Sequence, residues 1–107
     1  MNNTTRIEIE AATFRRLLNH LDSHKEVQNI ELMLVADFCR NCLAKWYSAE
    51  AQEHGVEIDY PEAQARIYGM PYSEWKSLYQ TVATPEQLHA YEERQLQKKL
   101  STGSESQ

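Results

Sequence analysis

An all-α fold is the class this sequence predicts, on three observations. Only three glycines and three prolines punctuate 107 residues, whereas an all-β domain needs a turn about every 8–12 residues. Apolar residues recur at helical spacing, most clearly at Phe14, Leu17, Leu18 and Leu21. Helix start and stop signals fall between such segments, the strongest being Thr84-Pro85-Glu86-Gln87. The expected architecture is a compact bundle of about five helices with one long central helix. It forms a single domain over residues 1–100, followed by a disordered tail at 101–107.

The first helix is expected to begin between Thr5 and Ala11 and to end near Asp22, where Asp22-Ser23-His24-Lys25-Glu26 makes a polar connection. Asn29 then suits an N-cap, and Glu31 favours the positive end of the helix dipole. From there no breaker occurs before Gly55, so the second helix is expected to run about 25 residues, or ~37 Å. Its first half is apolar on nearly every side: Ile30, Leu32, Met33, Leu34, Val35, Ala36, Phe38 and Cys39. Such a helix must be covered almost all round. In so small a domain the cover is expected from a second copy, giving a two-fold homodimer with Ile30, Met33, Leu34 and Val35 at its interface. Beyond Cys39 the stripe narrows to Cys42, Leu43 and Trp46.

Val56 to Tyr60 reads as a short link. Pro61 opens a helix that reaches Tyr68 and stops at Gly69. Pro71 pushes Met70 toward extended geometry. Trp75, Leu78 and Tyr79 mark the next helix, and Pro85 starts a last one directed toward Leu100.

The net charge of −5 disfavours DNA and anionic membranes as partners, since both need clustered Lys and Arg. Arg94, Lys98 and Lys99 are interleaved with Glu92, Glu93 and Gln97, the pattern of a solvated helix face. The longest apolar run, Leu32 to Ala36, is far short of the ~20 residues that cross a bilayer. No signal-peptide pattern opens the chain. A cytoplasmic protein with reduced cysteines is expected.

The residues that invite chemistry are His20, His24, Cys39 and Cys42, an H-x3-H pair separated by fourteen residues from a C-x2-C pair. These types suit a tetrahedral zinc site. Their placement argues against it. C-x2-C zinc ligands usually sit on a turn, whereas this pair is expected mid-helix. An antiparallel hairpin about Lys25 also offsets His20 from Cys39 by ~13 Å, against the ~4 Å that separates ligands of one zinc. The plainer account makes both cysteines small buried hydrophobes and both histidines C-terminal partners of the helix dipole. Thiol redox chemistry needs the first Cys at a helix N-terminus, and ten helical residues are expected before Cys39.

No phosphate loop, nucleophile elbow or H-E-x-x-H motif occurs. Asp37, Arg40, Asn41 and Lys45 share the less apolar side of helix two, where neighbouring charge contacts account for them. No catalytic residue is assigned. The aromatics Trp46, Tyr47, Tyr60, Tyr68, Tyr72, Trp75 and Tyr79 fit core packing with polar tips at the rim better than a partner-binding surface, and a self-association interface would reconcile the two.

The blocks Val27-Gln28-Asn29-Ile30-Glu31-Leu32-Met33-Leu34-Val35-Ala36-Asp37-Phe38-Cys39-Arg40-Asn41-Cys42-Leu43-Ala44-Lys45-Trp46-Tyr47 and Ile67-Tyr68-Gly69-Met70-Pro71-Tyr72-Ser73-Glu74-Trp75-Lys76 resemble a small bacterial family. It is catalogued as a domain of unknown function, number twelve forty-four. The resemblance spans about residues 13–92. It implies a compact all-helical protein, found mainly in proteobacteria, with no assigned activity, and its block includes the positions of His20, Cys39 and Cys42. From the apolar second helix, the leading expectation is a homodimeric binding or assembly module, with a protein partner as a further prospect. A zinc-site protein is the alternative, and an enzyme of unknown class comes third.

Overall fold

The computed structural model describes residues 1–102, which form six α-helices and no strand. Helix α1 (Asn3–Asp22) starts earlier than its apolar stripe suggests, because the Asn2 side chain accepts from the Thr5 N–H at 2.7 Å and caps it. Helices α4 (Tyr60–Tyr68) and α5 (Tyr72–Tyr79) lie where the proline and glycine signals put them. Asp59 caps α4, accepting from the Glu62 N–H at 2.9 Å. Gly69 ends it in the left-handed conformation at φ 75°, where any side chain would be strained. Helix α6 (Pro85–Thr102) opens with the expected reciprocal box: Gln87 N–H to Thr84 Oγ1 at 3.1 Å, and Thr84 N–H to Gln87 Oε1 at 2.9 Å. The tail expected from Ser101 lies outside the described residues, apart from its first two positions, which extend α6.

The long central helix is not there. The segment divides into α2 (Asn29–Ala36) and α3 (Arg40–Glu53), joined by an elbow at Asp37, Phe38 and Cys39. Asp37 takes the left-handed conformation at φ 63° and ψ 27°, and its N–H bonds back to the Met33 carbonyl at 3.0 Å, closing α2. Among ordinary side chains Asp and Asn enter that region most readily, so a chain without Gly or Pro can still turn here. Cys39 is then fully extended, at φ −148°, and serves as the N-cap residue of α3. The cap of α2 is Gln28 rather than Asn29, with its N–H held by Glu31 Oε1 at 2.7 Å.

The break changes what must be covered. Two short helices in different directions can each be sheltered from one side. Helix α6 lies along α2, and α3 packs along α4. Met33 is buried, Ile30, Leu32 and Leu34 are half-buried, and Val35 alone among these stands 83% exposed. The main core gathers Leu18 of α1, Leu43 and Ala44 of α3, Ala63, Ile67 and Tyr68 of α4, and Trp75 of α5. Full burial of each large apolar side chain there contributes about 1.5–3 kcal/mol. A smaller cluster of Met33, Cys39 and Cys42 sits at the elbow, with Leu32, Phe38 and Tyr91 packed against it.

Candidate functional site

Two side-chain clusters meet at the elbow, and a single arginine ties it to the rest of the fold. Arg40, first residue of α3, is 3% exposed. Its guanidinium donates to the carbonyls of Val27 at 2.7 Å and His24 at 3.0 Å, and to Asn29 Oδ1 at 3.1 Å. It also lies over the Trp75 ring, 4.9 Å from the centroid, a cation–π contact strengthened by burial. Burial pulls its pKa below the usual arginine value, with the surrounding groups opposing that shift. The charge is held by oxygen dipoles and an aromatic face rather than by a bonded carboxylate.

Behind Arg40 runs a chain of side-chain hydrogen bonds. Asn29 Nδ2 donates to Tyr68 Oη at 2.9 Å, and Tyr68 donates to Asn41 Oδ1 at 2.8 Å. Gln64 donates to the same oxygen at 3.2 Å. Burial pushes the Tyr68 hydroxyl well above the ordinary tyrosine range, more strongly than its bond to Asn29 lowers it. The buried Gln28 amide donates to the Tyr79 carbonyl at 3.0 Å and accepts from the Thr81 N–H at 2.9 Å, fixing the α5–α6 link to the start of α2. A cavity of about 450 Å3 opens beside these groups, lined in part by Asn29, Asn41, Tyr72 and Lys76.

On another side of the elbow lie the sulfurs. Cys39 Sγ and Cys42 Sγ are 3.8 Å apart, and Cys42 Sγ lies 3.9 Å from Met33 Sδ, within S–H···S reach. Both cysteines are free thiols and buried. The expectation of a mid-helix pair is therefore corrected: Cys39 precedes the first turn of α3 and Cys42 closes it. Burial raises the Cys39 pKa, while the N–H groups of Cys42 and Asn41 at the head of α3 lower it by less. A second cavity of about 450 Å3 is lined by Met33, Cys39, Cys42, Tyr60, Tyr91 and the lysines 45, 98 and 99. Asp37 faces α6, with Oδ2 3.2 Å from Lys98 Nζ and Oδ1 3.6 Å from Arg94 Nε. The pairs are partly exposed, so each is worth about 0.2–1 kcal/mol.

His20 and His24 approach each other, ring centroids 4.7 Å apart, at the exposed end of α1, where His24 Nδ1 meets Glu26 Oε2 at 3.2 Å. Among the described residues no three of His, Cys, Asp and Glu stand close enough to hold a metal ion. The four-residue zinc set is thus two separate pairs. Of the expected interface residues, Met33 points into the protomer, while Ile30 and Leu34 are half-covered. Sequence reasoning missed Arg40, Gln28 and Gln64 as buried polar groups, and Asn29 and Asn41 as the half-buried partners that join them. Nothing in the sequence marked them, because polar residues at these spacings read as a solvated helix face.

Fold and site together define a small all-α protein built around a broken helix, whose elbow carries a buried arginine on one side and a sulfur cluster on another. The family described as protein of unknown function (DUF1244) matches residues 27–93, and the chain belongs to it. No curated protein matches the sequence. No helix among the described residues is long and apolar enough to cross a membrane.

Proposed function

We propose that the protein is a helical binding and assembly module that pairs with a second copy of itself. The observation that supports this is the unused apolar surface of α1. Ile7, Ala11, Phe14 and Leu18 follow one another at helical spacing. Phe14 and Leu18 pack into the core, yet residues 1–10 are all exposed and Ile7 is 57% accessible. The stripe therefore runs past the body that it anchors to. A short helical extension without tertiary packing is marginal in water, so a covering surface would stabilise it. The shape agrees: the radius of gyration is 15.7 Å, against about 13 Å for a compact domain of this length. Val35, 83% exposed at the end of α2, adds a second apolar contact point.

Light scattering behind a size-exclusion column tests the reading. At about 50 μM the expected mass is twice the 12.5 kDa of one chain. Ile7→Glu or Val35→Asp should return it to one chain. Both positions are solvent-facing in the protomer, so neither change buries a charge. A wild-type mass of 12.5 kDa would refute the pairing.

A further inference from the structure

We propose that Cys39, Cys42 and Met33 form a three-sulfur site for a soft monovalent metal ion of the Cu(I) class. Two thiolates and a thioether are the donor set that Cu(I) prefers. The elbow is what assembles it. In an unbroken helix Cys42 would follow Met33 by nine residues, about half a turn out of phase and ~13 Å along the axis. The left-handed Asp37 and extended Cys39 fold the chain back, so that the two sulfurs stand 3.9 Å apart.

The spacing suits a shared ion. Sulfurs 3.8 Å and 3.9 Å apart, each bonded at ~2.2–2.3 Å, subtend roughly 110–125° at the metal. For the two edges that meet at Cys42, that range brackets the 120° of a trigonal centre. Structural zinc takes four ligands, and among the described residues no His, Asp or Glu joins the two cysteines. A Cu(I) ion on two thiolates leaves one net negative charge. The first turn of α3 begins at the same place, and its dipole end favours an anion. Lys45 and Lys99, with Lys98 paired to Asp37, line the cavity beside the sulfurs and bring ammonium groups near the site.

The reduced full-length chain, kept free of oxygen, is titrated with Cu(I) held by the chromogenic chelator bathocuproine disulfonate. The expected result is one Cu(I) withdrawn per chain. Cys39→Ser and Cys42→Ser, which remove thiolate donors, should each weaken binding by more than about 100-fold, the most that loss of an outer-shell partner usually costs, and Met33→Leu, which removes the weaker thioether, by about 10-fold. Met33→Leu keeps side-chain volume, so its fold should survive, which circular dichroism of the metal-free variants verifies. X-ray absorption on the loaded protein should show three sulfur neighbours. Uptake below about 0.1 Cu(I) per chain would overturn the proposal. So would indifference to Met33→Leu, a shell with nitrogen or oxygen ligands, or thiols that only form a disulfide and take up no copper after reduction.

Discussion

Arg40 governs the molecule more than its place in the sequence suggests. Beside Asp37, Asn41 and Lys45 it reads as one charge in a surface row, yet it is nearly sealed from water and bonded to two carbonyls of the α1–α2 connection and to Asn29 at the start of α2. Nothing in its spacing reveals this, because its partners are mostly backbone carbonyls, which carry no residue identity. Arg40→Met keeps length and apolar contact but orphans the acceptors of His24, Val27 and Asn29. Since an unsatisfied buried acceptor costs ~1–3 kcal/mol, we expect a loss of about 2–4 kcal/mol in urea denaturation. Arg40→Lys should recover less than half, since an ammonium cannot reproduce the planar fork or stack on Trp75 in the same way. A loss below about 1 kcal/mol for the Met variant would mean that water takes over those carbonyls.

Among the elements, the starts of α4 and α6 and the stop of α4 were legible, whereas the Asn2 cap of α1 and the elbow were not. Thr84 with Gln87 forms the expected box, Gly69 is the expected stop, and Pro61 lies in the first turn of α4. All act through local chemistry, which a sequence displays. The division between α2 and α3 depends instead on a non-glycine residue in the left-handed region, stabilised by lysine and arginine from α6, roughly 60 residues away. Asp37 therefore carries two separable effects. Asp37→Asn retains the tolerance for positive φ and loses the ion pairs, an expected cost of about 0.5–1 kcal/mol. Asp37→Leu adds the left-handed penalty of ~1–2 kcal/mol, so it should fall well below the Asn variant in denaturant midpoint. Equal midpoints would show that the elbow imposes no backbone strain.

For the whole molecule, the helical class and every helix other than the split pair were readable from punctuation and periodicity. The buried polar network was not, because Asn, Gln and Tyr at these spacings look the same in water or in a core. That network gives the fold an alkaline weakness. Burial raises the pKa of Cys39 from an ordinary 9.0, and of Tyr60 and Tyr68 from an ordinary 10.0. An acid whose folded pKa lies above its unfolded one favours folding fully at low pH and progressively less once the unfolded chain ionises. The contribution of these three groups should thus be level below about pH 8, and stability should decline as pH rises past 9 and 10. Tyr68→Phe, less stable at neutral pH through its lost bonds to Asn29 and Asn41, should show a shallower alkaline decline. Denaturant midpoints at pH 7.5 and 10.5 measure both, and a flat wild-type profile would contradict the argument.

The two indoles of this chain live in opposite surroundings: Trp75 is 2% exposed beneath a guanidinium, and Trp46 is 42% exposed. The protein thereby carries its own pair of optical gauges. One emits from the interior and reports whether the body has opened. The other, stacked beside Phe38 at the elbow, faces solvent and would respond to a change in its surroundings there.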